Sequence, residues 1–86
     1  MPDYRIAFKS SAEKELLQLA DDLLARIFPK IEALAQVPRP TGSKKLRGSK
    51  DLWRIRIGDY RVVYSIHDDQ KEIHITRIAH RRNAYE

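Results

Sequence analysis

Leu52-Trp53-Arg54-Ile55-Arg56-Ile57-Gly58-Asp59-Tyr60-Arg61-Val62-Val63-Tyr64 alternates apolar and charged residues around a Gly58-Asp59 pair. Alternate side chains of a strand point to opposite faces, so the stretch reads as a β-hairpin with glycine at the first central turn position. That turn puts Ile57 opposite Tyr60, Ile55 opposite Val62 and Trp53 opposite Tyr64, making one apolar face. The other face carries Arg56 directly opposite Arg61 and Arg54 opposite Val63. Like charges placed opposite each other cost on the order of a few tenths of a kcal/mol. A half-exposed strand needs polar residues there but has no need for every charge to be arginine. Guanidinium groups are planar, permanently charged forks that match phosphate oxygens, so the arrangement reads as an anion cradle. The alternative is that carboxylates from elsewhere pair with these arginines.

Working outward, strand-like segments fall near 52–57, 60–67 and 72–79, with Asp68-Asp69-Gln70-Lys71 joining the last two. Upstream, Tyr4-Arg5-Ile6-Ala7-Phe8 reads as a short first strand. Ser10 and Glu13 have capping-box spacing and predict a helix start. Leu16, Leu17, Ala20, Leu23, Leu24, Ile27, Ile31 and Leu34 form a helical stripe suited to core packing. Asp21 or Asp22 is expected to cap a second helix, with a kink at Phe28-Pro29 or a late start there. Val37-Pro38-Arg39-Pro40-Thr41-Gly42-Ser43 reads as a loop. The expected fold is α+β, in the order β-α-α-β-β-β: a mostly antiparallel twisted sheet with a helical hairpin on one face.

The 86 residues, 42% hydrophobic and 34% charged, are expected to form a single globular domain over 1–86. No apolar run approaches the ~20 residues that cross a bilayer, and no secretory leader is apparent, so a cytoplasmic protein without membrane contact is expected. The absence of cysteine excludes disulfides and thiolate chemistry. His67, Glu72 and His74 do not have convincing metal-ligand spacing, and no metal or cofactor is expected.

The net charge of +5 is placed unevenly: residues 1–43 balance, and the whole excess lies in residues 44–86. Lys44, Lys45, Arg47, Lys50, Arg54, Arg56 and Arg61 account for much of it. A basic half beside a neutral one points to a polyanion, most often nucleic acid. The last segment adds Arg77, His80, Arg81, Arg82, Asn83 and Tyr85. His80, following the final strand, is expected to reach the arginine face, where an imidazole could take part in acid-base work. Tyr85 has the chemistry to stack on a base or exchange a proton.

Lys45-Leu46-Arg47-Gly48, the Leu52–Tyr64 hairpin, and Ile78-Ala79-His80-Arg81-Arg82-Asn83-Ala84-Tyr85 together resemble the RelE/ParE superfamily of bacterial and archaeal toxins, most closely its RelE mRNA-interferase branch. The resemblance covers essentially the whole chain. It implies a type II toxin-antitoxin toxin that enters the ribosomal A site and cuts mRNA, inhibiting translation and arresting growth. It also implies a cognate antitoxin, with operator DNA bound only through the toxin-antitoxin complex. The family's catalytic positions fall on Arg54, Arg56, Arg61, Arg81 and Tyr85, with His80 added for acid-base work. Lys44, Lys45, Arg47, Lys50 and Arg82 are then expected to meet RNA or the ribosome. The best-known RelE pattern has lysines where this chain has Arg54 and Arg56, and arginine is not a credible general base. Two other readings share the fold: a ParE-like DNA gyrase inhibitor without ribonuclease activity, and a non-catalytic RNA-binding relative.

Overall fold

The computed structural model describes residues 3–48 and 51–82. In chain order it forms β1 (Arg5–Phe8), α1 (Ser10–Leu17), α2 (Asp21–Ala33), β2 (Lys44–Lys45), β3 (Leu52–Ile57), β4 (Tyr60–His67) and β5 (Glu72–His80). The sheet order is β1-β5-β4-β3-β2. Only β1 and β5 run parallel; the other pairings are antiparallel. The α+β architecture and the helical pair on one face are as expected. Lys44–Lys45, which the sequence reading assigns to no element, forms an additional edge strand paired with Arg54 and Trp53, giving five strands where four are expected.

The hairpin register is the one the sequence implies, from Ile57 opposite Tyr60 to Trp53 opposite Tyr64. Gly58 sits at φ +59°, a left-handed conformation that costs glycine little and other residues more. The inward face of β4 and β5 presents Val62, Tyr64, Ile66, Ile73, Ile75 and Ile78, and these pack with Ala12, Leu16, Ile27, Ile31 and Leu34 of the helical layer. Burying Tyr64 pushes its phenol up to about 12, and its hydroxyl donates to the Pro38 carbonyl at 2.8 Å. The loop after α2 is thereby tied to the sheet, and Arg39 reinforces it by lying 5.3 Å over the Trp53 ring and reaching Asp68 at 3.0 Å.

The helix starts differ from the capping expectations. Ser10 is already inside α1, Lys9 is the N-cap, and no side chain caps either helix. Lys9 donates its N–H to Ile75 O at 2.9 Å, and its own carbonyl accepts the Glu13 N–H at 2.9 Å. Strand pairing therefore decides where α1 begins. Ala20 is the N-cap of α2, leaving Asp21 and Asp22 in the first turn, where negative charge complements the helix dipole. The helix runs through Pro29 rather than starting late. Pro29 and Ala25 are both exposed, so water can meet the carbonyl that proline leaves without its usual donor.

Candidate functional site

Each position along a strand meets its neighbours in rows across the sheet, and on the face away from the helices these rows collect cations. One row reads Lys44, Arg54, Val63, Arg77 across β2, β3, β4 and β5. The next reads Arg56, Arg61, Ala79. Beyond it, Arg81 N–H donates to Asp59 O at 2.7 Å, extending the β4–β5 ladder by one bond past the hairpin turn. Arg81 sits in the turn just after β5, held beside the hairpin loop. Arg54, Arg56 and Arg61 thus share one face, with Arg81 at its end.

The positions differ in burial, and hence in what they can do. Arg54 is only 7% exposed and forms part of the floor with Val63 and Ala79. Arg61 is half-buried and Arg56 exposed. A guanidinium in the floor acts mainly through its field, which is less screened than at the surface; one at the surface can clasp an anion directly. Carboxylates lie at the rim: Arg77 Nε is 3.9 Å from Glu15 Oε2, and Arg81 Nε is 3.9 Å from Asp59 Oδ1. Both contacts are long and solvent-exposed, so each neutralises its own arginine little. Among the described residues, Arg56 and Lys44 have no carboxylate within 4 Å.

His80 is placed elsewhere. Its partner across the ladder is Tyr60, on the helix-side face, and the two rings meet edge to face at 5.4 Å. The expectation that it joins the arginine face is therefore corrected. Its Nδ1 accepts the Arg82 N–H at 3.2 Å, which leaves the proton of a neutral ring on Nε2. The cause is an irregularity at Val63/Tyr64, where β5 inserts Thr76 between the partners Ile75 and Arg77. The extra residue reverses the strand's facing, bringing Arg77 onto the arginine face and His80 off it. The spacing Ile73-x-Ile75-x-x-Ile78 carries a signal of that reversal.

Lys45 pairs with Trp53, which places it on the helix-side face of the edge. Arg47 and Arg82 are exposed beyond the strand ends. Lys50 and Tyr85 lie outside the described residues. Among the described residues, no group of three or more His, Cys, Asp or Glu is arranged to hold a metal ion. The face is thus able to bind an extended polyanion and to stabilise negative charge developing on a phosphate.

The protein-family model of the ParE toxin of type II toxin-antitoxin systems, parDE, matches residues 4–85. The chain is 36% identical over 75 residues to RelE1 of Methanocaldococcus jannaschii, itself assigned as a toxin, covering 84% of this chain and 83% of that one. It is similar to the archaeal RelE-RelB complex from Pyrococcus horikoshii, with a TM-score of 0.81, 32% identity, and 98% and 100% of the two chains covered. It is also similar to the intact Escherichia coli RelBE toxin-antitoxin complex, with a TM-score of 0.81, 25% identity, and 96% and 99% covered.

Proposed function

Since the chain belongs to the ParE toxin family of type II toxin-antitoxin systems, within the RelE/ParE superfamily, we propose that it is a RelE-type endoribonuclease that cuts mRNA at the ribosomal A site. The observation that carries this reading is the convergence of Arg54, Arg56 and Arg61 on one face, with Arg81 at its end. In the proposed reaction, a ribose 2′-hydroxyl attacks its own 3′ phosphodiester. The bond to the 5′-oxygen breaks, leaving a 2′,3′-cyclic phosphate and a 5′-hydroxyl. Negative charge grows on the non-bridging oxygens, and fixed cations that need no reorganisation stabilise it.

Arg61 and Arg81 are assigned to the phosphate. Arg56 orients the backbone from the exposed position opposite Arg61, while Arg54, in the floor, favours the 2′-oxyanion electrostatically. Tyr85 is assigned to stacking on a base, with its hydroxyl available to pass a proton to the leaving 5′-oxygen. No arginine serves as general base; the 2′-hydroxyl proton passes to water as the attack proceeds, and the leaving 5′-oxygen takes up one. The ribosome supplies part of the geometry by holding the message bent. Lys44, Arg47 and Arg82 extend the basic surface toward RNA, and Lys50 is assigned the same role; Lys45, on the opposite face of the edge, is not.

The partner proposed for this chain is a cognate antitoxin, as RelB is in the Pyrococcus horikoshii and Escherichia coli complexes. Operator DNA is met only through the toxin-antitoxin complex. The site of action is the cytoplasm. Among the described residues no helix is long and apolar enough to cross a membrane.

Separate Arg61→Ala and Arg81→Ala variants test the reading through growth arrest and mRNA cleavage on expression. Loss of at least ~100-fold in cleavage rate is expected for each, the scale of removing one group that stabilises a developing oxyanion. Undiminished toxicity in both removes the mechanism. A second reading, gyrase inhibition, is favoured by the match to the ParE family model. Blocked supercoiling with intact mRNA would establish it instead.

A further inference from the structure

The arginine rows occupy one end of the sheet face away from the helices. Toward the other end, the same face carries Ser65, His67, Glu72 and His74, with Ala7 of β1 beside His74. Ser65 Oγ lies 3.0 Å from His67 Nε2, and His74 Nε2 lies 3.0 Å from Glu72 Oε1. Each imidazole is therefore tied to a neighbour, and Glu72 is itself held by Arg5 at 2.7 Å. The two rings sit 4.3 Å apart with a 38° tilt. A cavity of about 510 Å³ opens against them, its lining including Ala7, Lys9, Ser65, His67, His74 and Thr76.

A metal does not account for this cluster, because among the described residues no suitable group of three ligands exists. Nor does nucleophilic chemistry, since Ser65 is only 9% exposed. What the cluster presents is a pair of oriented rings, with His74 40% exposed, beside Phe8, two hydroxyls and one lysine, and with the Glu72 carboxylate at its edge offset by Arg5. Such a surface suits a flat π-faced group carried on an anionic backbone. β4 runs from Arg61 to His67 on this face, a distance of roughly 20 Å at the usual rise per residue. That length spans several nucleotides of an extended strand.

We infer that the His67–His74 platform is a nucleobase subsite for the single-stranded RNA whose scissile phosphate lies on the arginine rows; the inference rests on the ribonuclease reading above. The subsite stacks a base several nucleotides from the cleavage point, and Lys9 meets the adjoining backbone. It makes affinity depend on RNA length beyond what the arginine rows bind.

The test uses the full chain and 2′-O-methyl RNA, which the proposed reaction cannot cleave, in oligomers of about three and about eight nucleotides. Fluorescence anisotropy is expected to show tighter binding of the longer RNA. His74→Ala lowers that affinity by roughly five- to tenfold, the scale of losing a modest base-aromatic stack, and leaves the short RNA unaffected. An abasic nucleotide at the far end of the longer RNA produces the same loss in the unaltered protein. His74→Phe, which retains a ring, keeps the length advantage and controls for folding. Equal affinity of His74→Ala, His67→Ala and the unaltered protein for the longer RNA overturns the subsite while leaving the arginine cradle standing. Weaker antitoxin binding with unchanged RNA binding assigns the surface to protein and also overturns it. Failure of either RNA to bind sinks the cradle and the subsite together.

Discussion

Arg56 and Arg61 stand directly opposite each other in the β3–β4 ladder, one residue pair from the Gly58-Asp59 turn. Two guanidinium groups in that relation repel, and an anion laid across them offsets the repulsion. Arg56→Thr is therefore expected to raise folding stability by a few tenths of a kcal/mol, up to about 0.5, while weakening RNA binding. Urea denaturation and RNA titration on the same variant check both halves. A variant that loses stability shows that the pair is not strained.

Gly58 holds the turn at φ +59°, and an added Cβ would lie 3.1 Å from Arg26 Nη2. The guanidinium is the far end of a flexible side chain and can withdraw, so the main cost is backbone conformation. Gly58→Ala is expected to destabilise by about 1 kcal/mol, read as a lower urea midpoint with an unchanged m-value.

Beyond the end of β1, the edge of β5 leaves the Ile78 N–H facing outward, and Glu15 Oε1 accepts it at 2.7 Å. Glu15→Ala removes the acceptor and costs about 1 kcal/mol, at the lower end for a charged acceptor because Glu15 is 32% exposed. Glu15→Gln keeps an acceptor oxygen and is expected to recover most of the loss. Denaturant titration of both variants separates the hydrogen bond from the long contact with Arg77.

The Arg39 guanidinium, and next the Tyr4 hydroxyl, hold the Asp68 carboxyl below its ordinary 3.8. A depressed carboxyl stabilises the fold above its unfolded pKa and loses that contribution as pH falls through the folded value. Asp68→Asn is expected to be less stable than the unaltered chain at neutral pH, with the difference shrinking as pH falls below 3.8. Acid titrations of the two proteins followed by circular dichroism test this. A difference that stays constant down to pH 2 removes the contact from the stability of the loop.

Much of this was legible because it is local. The Gly58-Asp59 turn and the flanking alternation specify the hairpin register, since a slip by one residue would send every apolar side chain to the wrong face. The helical stripe was legible in part: Leu16, Ile27, Ile31 and Leu34 are buried as its spacing implies, whereas Leu17 and Ala20, expected in the same stripe, are exposed. The capping box at Ser10 and Glu13 was present as a pattern but was overridden, because Lys9 is fixed by Ile75 of a strand more than sixty residues away. Lys44–Lys45 has no periodicity to reveal it and becomes a strand only through pairing with β3.

The chain's own order of residues determined that Arg54, Arg56 and Arg61 share a surface, because turn chemistry and the two-residue repeat act between near neighbours. Tertiary structure alone decided that Arg77 and Lys44 complete the cationic rows and that His80 leaves them for the ring of Tyr60. Those placements depend on an edge pairing and on one inserted residue, Thr76, which shifts the facing of β5 against β4. Such a shift is settled only when distant segments bury their apolar sides together.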